Sequence, residues 1–255
     1  MASNPRKWIF VRGLGRHTIH WGPFIPEFQK MFPDDQIEQL DLRGNGHLVH
    51  SPSCLSITDN VRDLRARSKW IQQGESVYLM TISLSSMVGV EWAKLYPEEI
   101  EGLVIANTSD RGTSSFFQRM RPSNYLKVLN FISKHTNPFL EKEILDITTT
   151  NLKDENKEEW ADNFAKIEPT SRMNLVRQLV AAGTYEFPKQ KPRTEILLLS
   201  GAQDQLVNPS CTDRIGEMWT LKPHVNPKAG HDIPLEDPQW VCDQIRQWLG
   251  TMDLL

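Results

Sequence analysis

Apolar residues fall into two rhythms along this chain. Short uninterrupted runs occur at Trp8–Val11, Val77–Met80, Leu103–Ala106 and Ile196–Leu199, each bounded by turn-forming or charged residues. A run without alternation suits a strand buried on both faces, as in a parallel sheet. Ile37–Leu42 is a fifth strand candidate. The second rhythm is helical. Ile57–Gln73 follows Ser56, a suitable N-cap, and ends before Gly74. Leu84–Leu95 carries apolar residues at 84, 87, 88, 92 and 95 and stops before Pro97. Pro238–Leu249 repeats the pattern with Trp240, Val241, Ile245, Trp248 and Leu249, followed by Gly250. Strands alternating with helices predict an α/β fold with a mostly parallel central sheet and helices on both faces.

The alternation stops between Asn107 and Pro192. This stretch shows helical patterns at Tyr125–Ser133, Pro138–Thr148, Glu155–Ile167 and Ser171–Gly183, and no convincing strand. It is too long for a crossover and too patterned for disorder. The expectation is a core formed by 1–106 and 193–255, with 107–192 inserted as a helical layer over the sheet's C-terminal edge. The mixed-charge run Lys153–Glu159 reads as a solvated helix face.

Composition narrows the function classes. The chain has 255 residues, 39% apolar and 24% charged, which is ordinary globular usage. A net charge of −3 gives no basic footprint for nucleic acid. No apolar run approaches membrane-spanning length, and the first residues hold no signal-type apolar segment. Cys54, Cys211 and Cys242 form no CxxC pair, so the thiols are expected to be reduced and the protein cytoplasmic. His17 and His20, like His47 and His50, stand three apart without an obvious third ligand, so no metal is expected. Gly13-Leu-Gly15 and Gly44-Asn-Gly46 continue into neither GxGxxG nor GK[ST], so no nucleotide cofactor is expected.

The chemistry concentrates in three places. At Val77–Ala93 a buried strand runs through Thr81-Ile-Ser83-Leu-Ser85 directly into a helix, the context of a nucleophile elbow. Such a turn normally has Gly two before and two after the nucleophile; here Thr81 and Ser85 stand there. The same residues also fit a plain serine-rich helix start with Ser83 as N-cap. Ile196–Val207 is a strand ending in Gly201-Ala-Gln-Asp204, which puts Asp204 on the edge expected to hold Ser83. Asp110, after the strand Leu103–Ala106, is the rival acid; spacing favours Asp204. His231 lies in Lys228-Ala-Gly-His-Asp232, just before the final helix. Asp232 is expected to point away and cap its loop. The order Ser83, Asp204, His231 is the Ser–acid–His order of one fold.

Arg12-Gly-Leu-Gly15, Asp41-Leu-Arg-Gly-Asn-Gly46, the elbow, Gly201-Ala-Gln-Asp204 and Gly230-His231 occur in the order and context of the α/β-hydrolase fold superfamily, which the chain resembles over nearly its whole length. The resemblance implies that 107–192 is a cap. It also implies a Ser83–His231–Asp204 triad, with Leu84 and Leu14 backbone N–H groups as the oxyanion hole. Arg12 departs from the pattern, since relatives commonly carry His there. Arg can pair with a carboxylate to hold the loop. The function expected is a serine esterase, a carboxylesterase-like hydrolase acting on a small ester through an acyl-enzyme. The alternatives are thioester, carbon–carbon or acyl-transfer chemistry on the same triad, or a hydrolase-like binding protein. The sequence leaves substrate and oligomeric state open.

Overall fold

The computed structural model describes residues 5–126 and 140–252. Six strands form one sheet in the order β2-β1-β3-β4-β5-β6. They are β1 (Lys7–Val11), β2 (Gln36–Leu40), β3 (Val77–Ile82), β4 (Ile100–Ala106), β5 (Glu195–Gly201) and β6 (His224–Asn226). Each neighbouring pair is parallel. All strand C-termini therefore point to one edge, where loops gather side chains from distant parts of the chain.

The apolar runs resolve into two faces by strand alternation. Ile9, Val11, Leu79, Leu103, Ile105 and Leu198 face one side with helices Ile57–Arg67, Leu84–Leu95 and Ser210–Trp219. Trp8, Phe10, Met80, Ile82, Val104 and Leu199 face the other with helices Phe24–Met31 and Pro238–Met252. A sheet buried on both sides needs runs that are apolar at every position, and these strands have them.

Three details differ from expectation. The helix expected over Ile57–Gln73 breaks at Ser68, whose backbone is extended at φ −70°, ψ 122°. Glu38 of β2 causes the break: its Oε2 accepts from Ser68 Oγ at 2.6 Å and its Oε1 from Lys69 N–H at 3.0 Å. A short helix, Lys69–Gln72, then restarts. Phe24–Met31 is a helix that the apolar pattern did not indicate, and it contains Pro26. Pro26 sits in the first turn, where N–H groups have no intrahelical acceptor and its missing donor costs nothing. β6 is too short and mixed to read from pattern, and exists by pairing His224–Asn226 with Leu199–Gly201.

Between β4 and β5 the described α-helices are Phe116–Arg119, Leu140–Thr148, Asp154–Phe164 and Arg172–Thr184, with a short 3-10 turn at Pro122–Asn124. Most of the helix expected at Tyr125–Ser133 lies outside the described residues. Among the described residues no helix is long and apolar enough to cross a membrane.

Candidate active site

Ser83 occupies the junction between β3 and helix Leu84–Leu95 with φ 60° and ψ −122°. A non-glycine residue there is strained by about 1–3 kcal/mol and persists only when its surroundings hold it. The surroundings are specific. Ser83 N–H donates to Ala106 O at 2.8 Å, and Thr108 Oγ1 donates to Ser83 O at 2.9 Å. The Ser83 side chain makes no cap hydrogen bond, so it is not a plain N-cap.

Thr81 and Ser85 brace the turn. Thr81 Oγ1 donates to Val104 O on β4 at 2.7 Å. Ser85 Oγ lies 2.7 Å from Val11 O and 2.9 Å from Ile82 O, and accepts from Ile82 N–H at 2.9 Å. Space for the branched Thr81 comes from the helix behind it. A Cβ on Gly89 would lie 3.2 Å from Thr81 Cγ2 and 2.7 Å from Leu103 Cδ1.

Asp204 and His231 meet on the same sheet edge. His231 Nδ1 is 2.7 Å from Asp204 Oδ2. Asp204 Oδ1 accepts from Leu206 and Val207 N–H at 2.8 and 2.9 Å, which fixes the carboxylate's orientation. An Nδ1–H donated to this carboxylate leaves Nε2 as the basic nitrogen. Burial pulls the His231 pKa down, but the Asp204 charge and hydrogen bond outweigh it, so the net shift is upward. Ser83 and His231 line one pocket, and the Ser83 hydroxyl has no hydrogen-bond partner among the described residues.

Gly13 brings the loop after β1 against the elbow. A Cβ there would lie 3.0 Å from Ile82 O, 3.1 Å from Ser83 Cβ and 3.5 Å from Leu84 N. Leu14 lines the pocket beside Ser83, and its N–H has no acceptor among the described residues. Leu84 is the first residue of its helix, so its N–H has no intrahelical acceptor either. The pocket spans about 760 Å³ including its mouth, with Ile82, Met120, Ile144, Ile147 and Leu206 on its wall. A second lobe of about 720 Å³ shares Leu14, Ser83, Met120 and Leu206, and adds Met87 and Leu179. Both are walled mainly by apolar side chains.

Several supporting residues escaped the sequence reading. Asn107, at φ 44°, donates from Nδ2 to Gly230 O at 3.0 Å and His231 O at 2.6 Å. Its Oδ1 accepts from Gly201 N–H at 2.7 Å. One amide thus ties the ends of β4 and β5 to the histidine loop. The available signal was an Asn directly after a strand, one of the non-glycine residue types that best tolerate positive φ. Glu236 Oε1 accepts from Gly230 N–H at 2.7 Å, while its Oε2 accepts from Thr150 and Asn151 N–H.

Asp232 requires a correction. It neither points away nor caps its loop. Its carboxylate takes the Arg12 guanidinium fork, NH1 to Oδ1 at 3.0 Å and NH2 to Oδ2 at 2.5 Å. Both residues are buried and both line the pocket with Ser83. Burial alone would raise the Asp232 pKa, but the Arg12 charge and hydrogen bonds hold it below the usual carboxylate range. Asp110 is occupied elsewhere, with Oδ1 accepting from Phe187 N–H at 2.7 Å.

The early histidines shape the neighbouring loops. His17, Asp41 and His47 each bring a potential ligand atom within 4.8 Å of the others. However, His17 Nδ1 accepts from Ile19 N–H at 2.9 Å, which puts the neutral ring's proton on Nε2, the nitrogen facing Asp41 at 3.6 Å. That nitrogen has no lone pair to offer a metal. His20 is buried, and burial with the nearby Arg16 charge lowers its pKa to about 4. Glu141 beside it is lowered to about 2, its burial outweighed chiefly by Arg16.

The comparisons accord with this architecture. The structure is similar to a thermophilic esterase from Thermogutta terrifontis, at TM-score 0.73 and 18% identity, covering 97% of this chain and 90% of that one. It is similar to the enol-lactonase from Burkholderia xenovorans LB400, at TM-score 0.77 and 15% identity over 97% and 92%. It is also similar to the 2-hydroxy-6-oxo-6-phenylhexa-2,4-dienoate hydrolase from Rhodococcus sp. strain RHA1, at TM-score 0.78 and 14% identity over 96% and 90%. At such identities the likeness shows the fold. No curated protein sequence matches the chain. The model of one family, described as serine aminopeptidase, S33, matches residues 9–238. The chain is therefore a member of the serine aminopeptidase S33 family, a hydrolase of the α/β-hydrolase fold.

Proposed function

We propose that the protein hydrolyses carboxylic esters through an acyl-enzyme. Ser83 is the nucleophile, His231 the general base and acid, and Asp204 the group that orients the ring. The observation that carries this reading is a strained Ser83 opening on the same pocket as an imidazole held by a buried carboxylate. The segment 107–192 serves as a cap, and its described residues Met120, Ile144, Ile147 and Thr148 wall this pocket.

In the first step Ser83 Oγ attacks the ester carbonyl carbon and its proton passes to His231 Nε2. The carbonyl oxygen becomes an oxyanion, stabilised by the Leu14 and Leu84 N–H groups. Collapse breaks the bond to the alcohol oxygen, which takes the proton from His231. Water then repeats the sequence on the acyl-enzyme and releases the acid. The Ser83–His231 hydrogen bond forms as substrate fills the pocket, since catalytic hydrogen bonds tighten in the Michaelis complex.

The pocket favours small esters with apolar groups over peptides with a free N-terminus. An α-ammonium group needs an unpaired carboxylate facing it. Among the described residues lining the first lobe, Asp232 is the carboxylate, and Arg12 already takes both of its oxygens. Fluorophosphonate labelling of the wild type and Ser83→Ala tests the nucleophile. Turnover of esters against thioesters, diketones and aminoacyl amides tests the bond cleaved. A wild type that neither labels nor turns over any ester would leave a ligand-binding role for the same pocket.

A further inference from the structure

We propose that Arg12 is a positioning residue which, through its fork on Asp232, locks the oxyanion loop to the loop that carries His231. This rests on the ester-hydrolase reading above. Arg12 immediately precedes Gly13 and Leu14, and Asp232 immediately follows His231. The pair spans 220 positions of sequence and is the bidentate contact between these two loops. A planar fork on a carboxylate fixes orientation as well as distance, which a single point charge cannot do.

The surroundings make the lock rigid. The guanidinium carbon stacks 4.9 Å over the Trp21 ring. Asp232 N–H donates to Thr148 O at 2.8 Å, at the end of helix Leu140–Thr148. Both side chains are about 4% exposed. A buried ion pair is a poor stability device, because desolvation offsets its attraction and an apolar pair of the same shape is often as stable. Arg12 Nε is also buried without a partner among the described residues, a further cost. The chain keeps a costly arrangement at the point where Leu14 N–H must sit within hydrogen-bond reach of a developing oxyanion.

The pair also acts on the base electrostatically. Among the described residues, Asp204, Asp232 and Arg12 are the charged groups that act most on His231, and Arg16 lines the same pocket. Asp232 raises its pKa and Arg12 lowers it, so the two members of the pair act on the ring in opposite directions. Removing one member should therefore move the histidine limb of the pH–rate profile in a direction set by its charge.

The experiment compares wild type with Arg12→Lys, Asp232→Asn and the Arg12→Met/Asp232→Asn double variant, each checked by thermal melting. Arg12→Lys keeps the charge but not the fork. Its kcat should fall at least tenfold with KM within twofold, and fluorophosphonate labelling should slow in parallel. Asp232→Asn should shift the histidine limb to lower pH. The double variant leaves no unpaired buried charge, so it should fold, shift the limb less than Asp232→Asn does and still lose kcat. Arg12→Lys with kcat within twofold of wild type overturns the proposal, as does a folded double variant with wild-type kcat. If the wild type itself shows neither labelling nor ester turnover, it is the esterase reading that fails.

Discussion

The Ser85 hydroxyl lies 2.7 Å from the carbonyl of Val11, joining the first turn of the elbow helix to the end of β1. The same oxygen accepts from Ile82 N–H. A position usually filled by glycine thus carries a hydroxyl that braces the turn against the end of β1. Ser85→Ala strands Ile82 N–H in a buried site. It should cost about 1–3 kcal/mol of stability, read as a lower denaturant midpoint with an unchanged slope.

Ser83 itself should show the reverse relation between stability and activity. Its φ of 60° suits glycine far better than any residue with a Cβ. Ser83→Gly should be more stable than Ser83→Ala by about 1 kcal/mol, although glycine normally costs stability. Neither variant should hydrolyse esters. Paired thermal melts check the order, and a less stable glycine variant would mean that the turn is unstrained.

The two acids should separate by function. Asp204→Asn removes the acceptor for His231 Nδ1–H and should lower kcat by about 10⁴-fold with the fold retained. Asp110→Asn keeps an oxygen for Phe187 N–H and should leave kcat within a few-fold of wild type. Steady-state kinetics on one ester decides between them, and the opposite order would move the acid to the loop after β4.

The pH dependence of catalysis follows from the raised His231 pKa. The reaction needs the neutral ring, so kcat/KM should climb with pH and level off through an apparent pKa above the ordinary 6.5. A rate–pH profile on an ester whose own chemistry is pH-independent reads this limb.

Stability should fall on mild acidification for a different reason. His20 is held near 4 when folded and titrates near 6.5 when unfolded. The unfolded chain therefore binds the extra proton between these values. Its contribution is present above pH 6.5 and is lost as pH falls toward 4, in total about 3 kcal/mol. Glu141 acts in a lower window, because its folded value is about 2. Denaturation of wild type against His20→Gln between pH 6.5 and 4.5 should show a flatter slope for the variant.

The sequence by itself determined the fold class. Four apolar runs without alternation could only be buried on both faces, and the helical stripes between them required parallel crossovers. Helix Leu84–Leu95 was legible to the residue, because Pro97 limits one end and the strand Val77–Ile82 abuts the other. The positions of Ser83, Asp204 and His231 on loops at strand ends were legible for the same reason: a parallel sheet sends all C-terminal loops to one edge.

Tertiary structure decided whatever depends on contacts between distant residues. Glu38 breaks the helix at Ser68, and no local propensity announces it. β6 is a strand because β5 offers it a free edge. Asp204 rather than Asp110 reaches the imidazole, a choice made by the path of the chain after each strand. Asp232 faces Arg12 across 220 positions, and Asn107 reaches the carbonyl of His231 across 124. Periodicity records which face of an element is apolar. It does not record which polar side chains a sheet of this order will bring within hydrogen-bond distance, because that is set by the strand order and the loops between them.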